Sequence, residues 1–274
     1  MVGTATDLSP DQLPSGWTDG AGEYDTWFAP VTRGFAADAV ELLGLGPGSR
    51  FLDVAAGTGA LALAAAATGA SVVATDFAPG MVALLAERFA DAGVDGSVAR
   101  MDGQALDLPD ASFDAAASLF GLIFFPDMAA GVRELLRVVR PGGRVLVGAW
   151  HRSGFSLPFA VMRALRTAVP GLRPPQEEPV PFRLGDRAGL ESLLTEAGLR
   201  DVRVEVATHV AEVADPAAMF RAVPLWAAPL KPVFDALSPE QLDRAAFAFA
   251  EQITAGGDPV GRLPGTALLG VGVR

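Results

Sequence analysis

Phe51-Leu52-Asp53-Val54-Ala55-Ala56-Gly57-Thr58-Gly59-Ala60-Leu61-Ala62 decides the fold. Arg50–Ala55 reads as a short strand, Gly57-Thr58-Gly59 as a tight turn, and Gly59–Ala67 as a helix. Glycine in such a turn takes positive φ and lets a ligand approach the backbone closely. The helix that follows presents free N–H groups at its start. A second acidic residue, Asp76, closes the next strand 23 residues after Asp53. A carboxylate at that position is placed to hold the hydroxyls of a ribose.

The same alternation extends in both directions. Upstream, residues 23–44 read as a helix carrying Tyr24, Trp27, Phe28, Val31 and Phe35, and residues 1–16 as a loose polar tail. Downstream, Ser71–Thr75 is a strand and Pro79–Ala92 a helix, with Pro79 suited to a first turn. Val94–Met101 and Phe113–Leu119 are strands, Met128–Val139 is an amphipathic helix ended by Pro141-Gly142-Gly143, and Arg144–Trp150 is an apolar strand. Strands alternating with helices predict an α/β, doubly wound, mostly parallel sheet of Rossmann-like type. After His151 the rhythm changes. A helix is expected near 157–168, another over Asp186–Ala197 capped by Asp186, a strand over Arg200–Ala207, and a helical stretch of about 215–255 broken by Pro224, Pro229, Pro232 and Pro239. Thr266–Val273 makes a final strand, able to close an antiparallel pair at the sheet edge. The expected organisation is a tail and helical lid over 1–44, a binding core over 45–151, and completion of the sheet over 152–274. Helical insertions at about 154–185 and 209–265 would form the second pocket.

Composition removes several classes. The 274 residues hold 21 Lys+Arg against 32 Asp+Glu, a formal charge of -11. That balance argues against a nucleic-acid binder, which needs a basic face, and against adhesion to anionic membrane. The chain has no Cys and two His, so disulfides, a Cys nucleophile and a His-rich or thiolate metal site are not expected. An all-carboxylate Mg²⁺ site stays open, with nothing pointing to one. Residues 54–75 carry no charge, but turn residues at 57–59 and 68–71 cut the run into pieces too short to span a bilayer. The polar, acidic start has neither the basic nor the apolar region of a signal peptide, so a cytoplasmic protein is expected. A homodimer is left open.

Asp53 separates the two ligands that suit a glycine turn. Gly57-x-Gly59-x-x-Ala62 also satisfies a relaxed dinucleotide pattern. A carboxylate beside the turn would repel a diphosphate but suit a cationic amino group. S-adenosylmethionine offers an amino group, a sulfonium and a ribose, and no phosphate. With this the residues take on a family likeness. Asp53-x-Ala55-x-Gly57-x-Gly59 resembles the first motif of the class I S-adenosylmethionine-dependent methyltransferases, departing at Ala55, where that family usually has Gly. Val73 to Met81, Met101 to Pro109, Phe113-Asp114 through Ser118-Leu119-Phe120, and Arg133-Glu134 through Gly143 resemble its further motifs. The likeness covers about residues 20–150 and is closest to the ubiquinone/menaquinone-biosynthesis type and related small-molecule enzymes.

The resemblance implies roles, residue by residue. Asp53, Ala55, Gly57 and Gly59 would line the methionine end, with Tyr24 and Arg33 near its carboxylate. Asp76 would bind the ribose, Phe77 and Met81 would flank the adenine, and Asp102, Gly103 and Gln104 would meet its edge. Ser118 and Leu119 would close the floor near the sulfonium. The implied activity is methyl transfer to the O, N or C atom of a small, apolar or ring-bearing acceptor, leaving S-adenosylhomocysteine. The reaction is an in-line displacement that depends on alignment and exclusion of water. His151, at the end of the fifth strand, is the candidate general base. His209 reads as structural, and Glu134 with Arg137 as a solvated ion pair. Phe120, Leu122, Ile123, Phe124, Phe125, Trp150, Phe155, Phe159, Met162, Phe220 and Trp226 supply apolar surface for an acceptor. Two other readings remain: a member of the same fold that binds the cofactor without methylating, as sensor, scaffold or cyclase, and a nicotinamide-dependent oxidoreductase. A short-chain dehydrogenase would need a Tyr-x-x-x-Lys pair, which a chain with only Tyr24 and Lys231 cannot form.

Overall fold

The computed structural model describes residues 8–172, 182–254 and 259–274. Parts of the expected tail and of both expected insertions fall outside those residues. The chain opens with a 3-10 turn at Pro10–Gln12, then short helices α1 (Ser15–Thr18) and α2 (Ala21–Glu23). A π-helical turn at Tyr24–Phe28 runs into α3 (Ala29–Leu43), which Gly44 ends at φ +65. The alternation then follows: β1 (Arg50–Val54), α4 (Ala60–Ala66), β2 (Ser71–Asp76), α5 (Pro79–Asp91), β3 (Gly96–Arg100), β4 (Phe113–Leu119), α6 (Met128–Val138) and β5 (Val139–Phe155). After it come α7 (Ser156–Ala168), α8 (Arg187–Glu196), β6 (Arg200–Val213), α9 (Pro216–Trp226), α10 (Lys231–Asp235), α11 (Pro239–Ile253) and β7 (Gly261–Val273).

The seven strands form one sheet in the order β3-β2-β1-β4-β5-β7-β6. The first five are parallel, and β7 lies antiparallel between β5 and β6. Parallel strands are covered on both faces, which explains why their sequences are nearly continuous apolar runs. One face packs Phe51, Val72, Ala74, Ala115 and Ala117 against Ala36 and Leu43 of α3, Leu61 and Ala65 of α4, and Leu85 and Phe89 of α5. The other packs Leu52, Val54, Ala116, Val145 and Val147 against Val132 and Leu135 of α6 and the larger C-terminal helical layer. The strand order reverses between β1 and β4. Open α/β sheets bind ligands in the crevice at such a switch point, beyond the carboxyl ends of the strands.

The helix starts follow from local chemistry. Asp127, Asp186 and Asp215 each accept an N–H from the first turn of the helix they precede, and Ser238 and Gln241 form a capping box on α11. Three strands outrun their sequence signal. β5 begins at Val139 and ends at Phe155, β6 continues from Ala207 to Val213, and β7 starts at Gly261 rather than Thr266. The β6–β7 ribbon is held by pairing through Val213↔Gly261, so Pro264 and Gly265 sit in a strand that their propensities disfavour. The helices between these strands therefore lie within 214–260. Pro224 does not break its helix but lies near the end of α9, and Pro239 starts α11. Among the described residues, no helix is long and apolar enough to cross a membrane.

Candidate functional site

β1 carries Asp53 inward to the switch point, where it is 1% exposed. The chain then turns sharply, with Ala55 at φ +56, Gly57 at +56 and Gly59 at +94. Alanine in this left-handed region costs energy that glycine avoids. Gly57 leaves open space above the turn, with the Tyr24 ring 3.7 Å from the position its Cβ would take. Gly59 serves packing instead. Its φ favours glycine, and a Cβ there would meet Leu85 of α5 at 2.3 Å. It does not line the cavity.

Neither carboxylate oxygen of Asp53 has a hydrogen-bond partner among the described residues. Burial pushes its pKa well above the usual carboxylate range against the weaker pull of the Ala62 amide, which stays outside hydrogen-bonding geometry, and the charge of Asp76 adds to the rise. Asp76, at the end of β2, is differently placed. Its Oδ2 accepts the Gly57 N–H and its Oδ1 the Ala78 N–H, both at 2.9 Å. Burial raises its pKa too, against the opposing effect of these amides. Tyr24 stands half-buried beside them, and its hydroxyl is pushed up by desolvation and by the charges of Asp76 and Asp25. The buried hydroxyls of Thr58 and Ser118 likewise find no partner among the described residues. The two sides of the turn thus hold acidic and polar groups that solvent does not reach. A buried polar group left without a partner costs about 1–3 kcal/mol, and of these residues Asp53 and Thr58 also line a cavity.

A cavity of about 620 Å³ opens over the carboxyl ends of β1, β2 and β4. Tyr24, Asp53, Ala55, Gly57, Asp76, Phe77, Met81, Asp102, Gly103, Gln104 and Leu119 all line it. Gly103 has no room for a side chain, since a Cβ would meet the Phe125 ring at 2.4 Å and Val54 at 2.7 Å. Gln104 is already engaged. Its amides donate to Asp102 Oδ1 at 2.9 and 3.1 Å, and its Oε1 accepts the Asp127 N–H at 2.9 Å. Ser118 lies fully buried beneath the floor rather than on it.

Besides Gly59 and Ser118, two more of the expected residues, Arg33 and His151, do not reach the cavity. Arg33 is exposed on α3 and does not line the cavity. His151 lies within the extended β5, its Nδ1 3.2 Å from Ser153 Oγ, also away from the cavity. Glu134 and Arg137 are not a solvated pair. Arg137 binds both Glu134 oxygens at 2.8 Å, Asp110 at 2.6 Å and the carbonyls of Leu106 and Leu108, while Glu134 accepts the Leu106 N–H. This network fastens the 106–110 loop to α6. His209 pairs with Asp38 of α3 at 2.6 Å, as its structural reading implies.

Other residues reach the cavity without a sequence signal. Leu8, Gln12, Leu13 and Pro14 come from the segment that reads as a loose tail, and Trp17 directly follows it. That segment is ordered by a Ser9–Gln12 capping box and by the Trp17 Nε1–H donating to the Asp11 carbonyl at 2.8 Å. The one available clue was an aromatic isolated among polar residues. Of the expected acceptor surface, Phe120, Phe124 and Phe125 line the cavity. Leu122, Ile123 and Phe220 are core, and Phe159 is 56% exposed. Phe120 also sits at φ +64, unusual for a bulky side chain. Its ring stacks on Trp150 at 3.9 Å and 7°, and Trp150 stacks on Phe155 at 4.0 Å and 10°.

This sheet order, with an acidic strand end, a glycine turn and a second carboxylate one strand over, defines a protein built to hold a nucleoside that carries a cation. Comparison with known proteins gives it a family. A methyltransferase-domain family model matches residues 52–147. A demethylmenaquinone methyltransferase of a Parafrankia species is 38% identical over 188 residues, covering 61% of this chain and 71% of that protein. An uncharacterised Mycobacterium tuberculosis protein is 37% identical over 188 residues, 66% of this chain and 68% of that protein. In fold, the chain is similar to the Bacillus subtilis YcgJ protein, with a TM-score of 0.58 at 19% identity over 88% of this chain and 98% of that one. The chain belongs to the class I S-adenosylmethionine-dependent methyltransferases. Its cofactor is S-adenosylmethionine, and its unpartnered carboxylate, backbone turn and second carboxylate suit that molecule.

Proposed function

We propose that this chain methylates a small, largely apolar, ring-bearing acceptor that shares the 620 Å³ cavity with the cofactor. One observation carries the assignment of the cofactor end: the buried Asp53 carboxylate without a partner. An ammonium group there would restore the charge balance that burial disturbs, whereas a pyrophosphate would add a second negative charge. Each Asp76 oxygen accepts one amide and keeps a lone pair, enough for the two hydroxyls of a ribose. Phe77 and Met81 would flank the adenine, and Asp102 and Gly103 would meet its edge, a reading supported by their all lining the cavity. Gln104 holds that loop against the start of α6.

The bound cofactor supplies a methyl group already activated for transfer. The chain's own residues align and enclose. Tyr24 covers the glycine turn, Leu119 forms the floor beside Ala55, and Trp17, Leu13 and Pro14 close the cavity over the strand ends. Shutting out water and fixing the approach of the acceptor are the main ways a protein speeds such a displacement.

The ring stack supports the proposed acceptor class. Phe155, Trp150 and Phe120 lie face to face, and only the last of the three reaches the cavity. Phe120, which lines the cavity from this stack although it is only 6% exposed, is the ring that an acceptor would meet. Trp17 and Phe124, edge to face at 4.9 Å, supply a second aromatic wall.

Titration calorimetry with S-adenosylmethionine, S-adenosylhomocysteine and NADH, followed by methyl-transfer assays on aromatic and aliphatic hydroxy and amino compounds, tests this reading. Binding of the first two and methylation confined to aromatic acceptors is expected. Binding of NADH alone would overturn the cofactor site, and preference for aliphatic acceptors would overturn the ring subsite.

A further inference from the structure

Arg88, near the end of α5, does not line the cavity but joins two segments that do. Its Nη1 donates to the Thr58 carbonyl at 3.2 Å, inside the glycine turn. Its Nη2 pairs with the Asp25 carboxylate in the π-helical turn that presents Tyr24. The helix that carries Arg88 brings Met81 to the cavity from its first turn. The pair is half-buried, with side chains 26% and 18% exposed. The other oxygen of Asp25 is buried and finds no partner among the described residues, so Arg88 is what neutralises that carboxylate.

This geometry suits arginine and no other cation. A planar guanidinium can serve a carbonyl and a carboxylate at a fixed angle, whereas an ammonium group would keep one or the other. The Thr58 carbonyl belongs to the peptide leading into Gly59, so holding it sets the start of α4. Asp25 adjoins Tyr24, whose ring stands over Gly57. A π-helical turn is an uncommon local geometry that recurs at functional sites.

We propose that Arg88 is a positioning residue that latches the Ala21–Phe28 segment onto the glycine turn, so that release of bound cofactor requires the Arg88–Asp25 pair to open. This rests on the cavity being the S-adenosylmethionine site. The latch acts on exchange of cofactor and product, not on the methyl transfer itself.

The test is the rate at which S-adenosylhomocysteine leaves, followed by stopped-flow quenching of tryptophan fluorescence, with Trp17 as a reporter in the cavity wall. Arg88→Ala and Asp25→Asn should each speed release about tenfold, and the double variant should be no faster than either single one, because residues in one contact do not add. Arg88→Lys should fall between, keeping the charge without the fork. The KM for S-adenosylmethionine should rise in the same order. Arg221→Ala, which removes an exposed ion pair with Asp243, should leave release unchanged. Variants that melt earlier yet release at the wild-type rate would reduce Arg88 to a structural role and overturn the latch. Should Arg88→Ala fail to fold, Asp25→Asn and the salt dependence of wild-type release carry the same test. Wild-type protein that binds no S-adenosylhomocysteine would overturn the latch and the site together, whereas tight binding with unaltered release in the variants would overturn the latch alone.

Discussion

The two ends of the cavity are built from opposite materials. At the carboxyl ends of β1 and β2 the walls are backbone amides, two buried carboxylates and the Thr58 hydroxyl, which has no partner among the described residues. Beyond β4 they are aromatic rings, Phe120 backed by Trp150 and Trp17 edge to face with Phe124. The polar end is under electrostatic strain until something charged arrives. The aromatic end is already satisfied and offers only a surface. A ligand would therefore be bound tightly at the first by relief of a cost, and selected at the second by shape.

The largest expected effect lies at the polar end. Asp53→Asn should weaken S-adenosylmethionine binding by about 2–5 kcal/mol, the cost of removing one partner of a buried charge pair. The same change should raise the melting temperature of the free protein, because it removes a buried, unpartnered charge. Opposite signs in calorimetry and melting are the signature sought, and a loss in both would make Asp53 an ordinary structural residue. Asp76→Ala should cost about 1–3 kcal/mol of cofactor affinity, the range for orphaned buried hydrogen-bonding groups. Unchanged affinity would remove the ribose assignment. At the aromatic end, Phe120→Leu should leave cofactor affinity alone and weaken the acceptor by about 0.5–1.5 kcal/mol, the worth of a ring contact beyond its area. An effect on cofactor instead of acceptor would merge the two ends. The smallest effect is at the turn. Ala55→Gly should stabilise the fold by roughly 0.5–1 kcal/mol, since relief of positive φ exceeds the added freedom of the unfolded chain.

The same division explains what could be read from the sequence. The parallel alternation and the Asp53–Gly59 turn were legible because their physics is local: a strand end, a positive φ, a helix start. Asp76 was legible because the next strand fixes its position. Gly59 was misplaced because its neighbour Leu85 is 26 residues away in the chain and invisible to motif reading. The wall formed by Leu8 to Trp17 was missed because it is polar in composition and is ordered by the Ser9–Gln12 capping box and the Trp17–Asp11 hydrogen bond, which leave no periodic pattern in the sequence. His151 was overvalued because the end of β5 was set by alternation, while pairing with β7 carries the strand on to Phe155. Phe120 and Phe220 look alike as letters, yet one faces the cavity and the other is core.

Proton linkage gives the most direct measurement. Burial raises the pKa of Asp53, so in mildly acidic solution the folded free protein holds a proton there that the unfolded chain would release. Its stability should then fall as pH rises from the usual carboxylate value through the raised one, because the folded state binds more protons in that window. An ammonium group bound beside Asp53 favours the carboxylate and must expel that proton. Titrating S-adenosylmethionine into the protein in two mildly acidic buffers of different ionisation enthalpy reads the proton count directly. The expected result is net proton release in the wild type and none in Asp53→Asn. Binding with no proton release in the wild type, or with the same release in both proteins, would contradict the account of Asp53 as the cation's seat.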